Sequence, residues 1–337
     1  MSVEKNDNYQ FVHPLKDWIK IPFNKSNPPR RVLFRVDAGQ IYGLSYGHLS
    51  RCLIIEKAFK ELFDTESLFL MKDFNDGVQH AILSGSNVKT LPDKEDQLFL
   101  QNIIMTYQPS CLVVDLPYQN EDFSFYLKIK KKFDIQFFFI DDNRYSNPGA
   151  DIYLNTSILA NKKVNRINPD KTFYFLGPQY FIFDETLIDN TFPIPKNKYF
   201  NIVLSFGGAD PTDLTIKVVR ALLKISNKRI KYYVILGPGY SKQDSLYQLI
   251  HDACNFSVIC NPKNIIPFFY SCDFVICAGG RTMYELLYLN KQFMPIASTP
   301  QEALAISTIL ENNLIENGML KWSTKKFINI MININNV

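Results

Sequence analysis

The chain has 337 residues, enough for two domains of ordinary size, and its hydrophobic fraction of 46% and charged fraction of 21% are those of a globular protein. The net charge of +4 leaves no nucleic-acid footprint, and the densest basic run, Lys128 to Lys132, sits in a helical pattern and reads as a solvated face. No stretch of about twenty apolar residues suggests a membrane span, and the polar start MSVEKNDNYQ lacks a signal-peptide core, so a cytoplasmic location is expected.

Residues 1–30 show no clear period and read as an extension packed on the surface or partly mobile. From Arg31 onward, apolar strands and amphipathic helices alternate. Strands are predicted at 32–36, 67–71, 111–114, 135–140, 152–154 and 173–175, with helices over 49–63, 96–107 and 123–133. A polar, proline-bearing stretch at 184–198 marks a break. The pattern restarts with a strand at 201–205, a helix over 212–225, a strand at 231–236 and a helix over 241–253. It continues through 256–260, 265–272, 274–278, 282–289, 293–296 and 300–312. Apolar strands separated by helices mean parallel sheets covered on both faces. The expected fold class is therefore α/β: two Rossmann-like, doubly wound domains facing a cleft. The expected boundaries are an extension at 1–30, an N-terminal domain at 31–190 and a C-terminal domain at 191–337.

In such sheets ligands sit at the carboxyl ends of the strands, and two glycine turns fall there. The first, Gly43 to Gly47, follows Asp37-Ala38-Gly39 and precedes His48 at the start of a helix. Bare N–H groups and the helix dipole at such a turn attract phosphate. They also disfavour a cation at His48, which suits a general base; the alternative is a capping or core histidine. Asp37, ending the preceding strand, can orient His48 or touch a ligand. The second turn is Gly279-Gly280-Arg281-Thr282, with Glu285 one helical turn on. Its glycines allow backbone amides near a diphosphate, the Thr282 hydroxyl can donate to it, and Glu285 can accept from ribose hydroxyls; the alternative is an ordinary glycine cap. Gly207 and Gly208 suit phosphate or sugar contact, and Asp210 reads first as a helix cap. Asp115 and the pair Asp141-Asp142 end strands and can bind sugar hydroxyls or a metal, but no magnesium motif accompanies them and no metal is assigned. The six cysteines form no CxxC pair or zinc spacing and read as buried free thiols.

Taken together these residues resemble a bacterial family of UDP-sugar hydrolases of pseudaminic acid synthesis, which remove UDP from UDP-2,4-diacetamido-2,4,6-trideoxy-β-L-altropyranose. They are also similar to spore-coat polysaccharide proteins of the same type and, more distantly, to the glycosyltransferase that makes lipid II. The matches are Asp37-Ala38, Gly47-His48, Arg51-Cys52-Leu53, Val113-Val114-Asp115, Ile140-Asp141-Asp142, Ala150-Asp151 to Asn155, Leu176 to Tyr180, Ser205 to Asp210, and Ala278-Gly279-Gly280 to Glu285, in order over residues 31–320. The resemblance implies a GT-B-like fold, a water activated at His48, and cleavage at the anomeric carbon with inversion and no metal or other cofactor. It implies Gly279, Gly280 and Thr282 at the diphosphate, Glu285 at the ribose and Gln301 near the sugar; with the turns read above, Gly207 and Gly208 are expected at the nucleotide and Asp37, Gly47 and Arg51 toward the substrate. The implied partner is a UDP-sugar, with no nucleic acid and no stable membrane insertion. Ser45, Arg281, Met283-Tyr284 and Pro300 depart from the family pattern and leave the sugar open. Some relatives carry a fused acetyltransferase, for which this chain is expected to be too short. The alternatives are an inverting glycosyltransferase on the same fold and a non-catalytic nucleotide-sugar-binding protein.

Overall fold

The structure is a computed structural model. It describes residues 13–23, 28–39, 44, 46–92, 97–117, 123–142, 144–167, 170–183, 193–194, 198–225 and 229–335. The chain divides into two compact units, Met1–Phe183 and Asp184–Val337. Of the expected break at 184–198, only residues 193, 194 and 198 lie within the described residues.

The first unit runs α1 (Leu15–Trp18), β1 (Arg31–Val36), α2 (Tyr46–Phe63), β2 (Glu66–Lys72), α3 (Asn75–Leu83), β3 (Val88–Leu91), α4 (Gln97–Tyr107), β4 (Cys111–Asp115), α5 (Ser124–Phe133), β5 (Gln136–Ile140), β6 (Ile152–Asn155), α6 (Ala160–Lys163) and β7 (Phe173–Leu176). Its seven strands are all parallel, in the order β3-β2-β1-β4-β5-β6-β7. Successive side chains on a strand point to opposite faces, and both faces are covered. Val32, Phe34 and Val36 join one core with Phe69, Val113 and Phe138. Leu33 joins the other core with Leu70, Leu112, Phe137 and Phe139.

Several parts of this unit depart from the sequence reading, among them the short helix α6. The pair α3–β3 lies where no element was predicted. Glycine disfavours a helix interior, but at position 77 a Cβ would lie 1.9 Å from the Ala38 carbonyl oxygen, so the glycine lets α3 press against the end of β1. β3 is a short edge strand with two of its four residues exposed, which erases the alternation a strand normally shows. The extension departs too: its residues 13–23 supply core. The Trp18 ring sits 4.7 Å from Phe175 and 5.6 Å from Tyr180, Phe23 meets Phe59 edge-on at 5.2 Å, and the His13 N–H donates to the Gln179 carbonyl at 2.7 Å.

The second unit runs β8 (Phe200–Ser205), α7 (Leu214–Leu222), β9 (Ile230–Leu236), α8 (Gln243–Leu249), β10 (Phe256–Cys260), α9 (Ile266–Ser271), β11 (Phe274–Ala278), α10 (Arg281–Tyr288), β12 (Phe293–Ile296), α11 (Pro300–Glu311) and α12 (Thr324–Asn335). Its five strands are parallel in the order β10-β9-β8-β11-β12. α12, which the sequence reading did not assign, packs Phe327 and Met331 into the core with Ile202, Val218 and Val219. Each unit is a doubly wound sheet whose strand order reverses once, between β1 and β4 in the first unit and between β8 and β11 in the second. A crevice forms at the carboxyl ends of the strands at such a reversal.

Candidate active site

At the reversal in the first unit, β1 ends in a buried ion pair. Arg35 is 1% exposed, and a buried guanidinium requires a partner. Its Nη1 donates to Asp37 Oδ1 at 2.6 Å, and the same oxygen accepts the Lys72 backbone N–H at 2.7 Å. The structure thus places Asp37 in a brace between β1 and β2.

The chemistry gathers on the first turns of α2. His48 and Arg51 are three residues apart, so they share a helix face, and Asp115 at the end of β4 faces them both. His48 Nδ1 lies 2.7 Å from Asp115 Oδ1. Arg51 grips the same carboxylate with two bonds of 2.5 Å, from Nε to Oδ2 and from Nη2 to Oδ1. Asp142, just past β5, takes Nη1 at 2.6 Å and Nη2 at 3.0 Å. Arg51 Nη2 also approaches His48 Nδ1 to 2.9 Å. A count of hydrogens resolves that contact. Nη2 carries two, and both point to carboxylate oxygens, Asp115 at 2.5 Å and Asp142 at 3.0 Å, which are stronger acceptors than an imidazole nitrogen. The 2.7 Å contact to an ionised carboxylate needs a proton, and Nδ1 supplies it. His48 therefore donates from Nδ1 to Asp115, a tautomer in which the neutral ring carries its lone pair on Nε2.

Asp115 is wholly buried. Burial alone would raise its pKa, but the Arg51 guanidinium and the His48 imidazole, together with their hydrogen bonds, bring it down to about 2. Burial likewise acts to lower the Arg51 pKa, and the two carboxylates override it and hold Arg51 well above its ordinary value. The adjacent Cys52 thiol, 3.7 Å from Asp115, is pushed well up by burial and by that carboxylate. Asp115 is thus a fixed anion that sets the imidazole tautomer and orientation.

Asp141 has a different task from its neighbour. It accepts the backbone N–H groups of Arg144 at 2.9 Å and Tyr145 at 2.7 Å, and the Tyr153 hydroxyl. It shapes the loop that delivers Asp142 to Arg51. Gly47 lies on α2 beside His48. Gly43 and Ser45 lie outside the described residues.

At the reversal in the second unit, Gly207 adopts φ +82°, a left-handed conformation that favours glycine. Gly208 accepts at its carbonyl from the Gly239 N–H at 2.7 Å. Asp210 caps α7, accepting the N–H groups of Leu214 at 2.8 Å and Thr215 at 2.7 Å, in line with the capping role read from the sequence. After β11, Gly279 is required by packing: a Cβ there would sit 2.9 Å from Glu302 Cβ and Ile306 Cδ1 of α11. Gly280 is the N-cap of α10, and Thr282 lies partly buried in the first turn. Glu285 accepts from Arg281 Nε at 2.9 Å, so the departure at Arg281 is a partner for the very carboxylate expected to meet ribose. Gln301 is exposed near the start of α11. The structure brings together His48, Arg51, Asp115 and Asp142 in the first unit, and Gly279, Gly280, Thr282, Glu285 and Arg281 in the second. The sequence reading had not joined Asp115 to His48; a partner carboxylate that far along the chain leaves no local signal.

No family model matches the chain. Over 257 residues it is 30% identical to a protein of Methanocaldococcus jannaschii described only as uncharacterised, across 73% of this chain and 52% of that protein. The chain thus spans about half the length of the curated relative it matches. Among solved structures it is similar to Acinetobacter baumannii MurG, with 10% identity, 91% of each chain covered and a TM-score of 0.61. It is also similar to the UDP-GlcNAc 2-epimerase of Neisseria meningitidis, with 12% identity, 91% of each chain and a TM-score of 0.61. A third likeness is to S. aureus MnaA, with 9% identity, 91% and 88% coverage and a TM-score of 0.64. At these identities the likeness establishes architecture: the chain has the two-unit Rossmann-like fold of GT-B glycosyltransferases and UDP-GlcNAc epimerases.

Proposed function

We propose that the protein is a hydrolase of a UDP-linked sugar, with His48 as the base that activates water. The observation that carries this reading is the proton count at His48. With Nδ1–H directed to the fixed anion Asp115, the neutral ring presents Nε2 as the base. In the proposed step Nε2 takes a proton from water as the water oxygen bonds to the anomeric carbon. The bond from that carbon to the phosphate oxygen breaks with inversion, and UDP leaves with the electron pair. Developing negative charge on the leaving diphosphate is matched by backbone N–H groups and the positive helix end at Gly279, Gly280 and Thr282. Glu285 is assigned to ribose, Gly207 and Gly208 to the nucleotide, and Gly47, Arg51 and Gln301 to the sugar side, while Asp37, expected there from the sequence, is instead engaged in the buried brace to Arg35 and Lys72. The family resemblance favours a diacetamido-trideoxy-hexose of surface-polysaccharide or pseudaminic-type acid synthesis. Two of the similar structures were solved with UDP-GlcNAc or UDP bound, which supports the nucleotide class.

The second reading is an inverting glycosyltransferase, in which the same histidine deprotonates an acceptor hydroxyl. The likeness to a spinosyn rhamnosyltransferase, at 11% identity and a TM-score of 0.62, favours it. One assay separates the two: UDP release from a panel of UDP-sugars that includes the diacetamido-trideoxy sugars, with and without acceptor extracts. Release without acceptor supports the hydrolase. Release only with acceptor replaces it with the transferase, and binding without release leaves a nucleotide-sugar-binding protein.

A further inference from the structure

The turn assigned to the diphosphate already holds an anion of the protein's own. Glu302 is the third residue of α11, and with Thr299 it forms a reciprocal N-terminal cap. The Thr299 hydroxyl oxygen accepts the Glu302 N–H at 3.1 Å, and the Glu302 carboxylate turns back toward the Thr299 N–H. A carboxylate engaged only in that cap would stay over its own helix. This one reaches further. Oε2 accepts the Ser298 N–H at 2.6 Å, and the stem of the side chain lies against Gly279, whose added Cβ would meet Glu302 Cβ at 2.9 Å and Cγ at 3.4 Å. Oε1 lies 3.5 Å from where a Cβ on Gly280 would project, at the N-cap of α10. The Ser298 hydroxyl, itself approached by the Thr212 hydroxyl at 3.3 Å, completes the surround. Glu302 therefore sits among the N–H groups at the ends of β11 and β12, beside the positive end of α10, where an anionic ligand would be stabilised.

We propose that Glu302 is an internal anion that a ligand phosphate must displace or neutralise at the turn after β11, so that nucleotide binding is coupled to proton uptake. The proposal rests on the assignment of UDP to this turn. The neighbouring titratable groups are Cys277 of β11, which feels both Glu302 and Glu285, and the Arg281–Glu285 pair of α10. The Arg281 charge is engaged by Glu285, so a diphosphate arriving beside an ionised Glu302 meets a like charge. Burial raises the Glu302 pKa, against the lowering effect of its N–H donors, so protonation is the easier way to relieve that repulsion.

The test is calorimetric titration of UDP into the full chain, wild type and Glu302→Gln, at pH 6 and pH 8 in two buffers of different ionisation enthalpy. Glutamine keeps an amide oxygen for the Ser298 and Thr299 N–H groups, so the cap is retained. The expected result is proton uptake by the wild type, and binding by Glu302→Gln about tenfold tighter at pH 8 with that uptake lost. The ligand's own phosphate titration is common to both proteins and cancels in the comparison. Equal or weaker binding by the variant at pH 8 overturns the proposal alone, as does a wild type that takes up no proton beyond that of the ligand. Absence of UDP binding to either protein overturns the nucleotide assignment and this proposal with it.

Discussion

His48 Nδ1 and Asp115 Oδ1 lie 2.7 Å apart across 67 positions of sequence, and the hydrogens of Arg51 Nη2 are directed to the carboxylates of Asp115 and Asp142. That relationship fixes Nε2 as the basic atom. Replacing His48 by asparagine or alanine is expected to lower UDP release by about a thousandfold while leaving UDP affinity within about twofold. Turnover retained in either variant would remove the assigned base, and a parallel loss of UDP binding would point to a structural role instead.

Asp115→Asn keeps the size of the side chain but removes the anion and can present an N–H toward Nδ1. The imidazole then has reason to take the other tautomer, and kcat is expected to fall by about 10³- to 10⁴-fold. Nitrogen NMR of the His48 ring separates this from simple unfolding, because the tautomer signature should invert in a protein that still melts cooperatively. The variant also leaves Arg51 with one carboxylate partner in place of two, at a cost of about 3 kcal/mol in stability.

The acid limb of stability follows from the same carboxylate. The native Asp115 pKa of about 2 lies below its ordinary 3.8. A lowered native pKa contributes stability that is fully present above about pH 4 and is lost as pH falls toward 2, by an amount on the order of 2 kcal/mol. Urea denaturation at pH 6, 4 and 3 measures it. In Asp115→Asn that part of the slope should disappear, and an unchanged slope would show that other carboxylates dominate.

Gly77→Ala tests the seat of α3 on β1. Its Cβ would meet the Ala38 carbonyl at 1.9 Å, so α3 must shift, with an expected loss of about 3 kcal/mol. Thermal melting reports that loss. Because Ala38 follows Asp37, ring-nitrogen shifts of His48 would report whether the strain reaches α2.

The strands were legible because parallel strands buried on both faces are continuous apolar runs; Cys111–Asp115 and Phe274–Ala278 are unmistakable on that ground. His48 was legible because it follows a glycine at a helix start. Its partner was not. Asp37, Asp115, Asp141 and Asp142 all follow apolar runs and look alike in sequence. Only the fold sorts them, giving Asp37 to Arg35, Asp141 to a loop, and Asp115 and Asp142 to Arg51. Glu302 was hidden for a similar reason, since T-P-Q-E reads as a helix cap and says nothing of the turn after β11.

The packing of residues 13–23 on β7 bears on the order of assembly. His13 and Trp18 reach Gln179, Phe175 and Tyr180 from the opposite end of the first unit's sequence. The contact joins residues more than 150 positions apart, so it is absent from any locally formed nucleus. It ties the two ends of the first unit's sequence together, a closure whose entropic cost the aromatic packing and the hydrogen bond must offset. Slow hydrogen exchange at the His13 amide would therefore report an intact first unit.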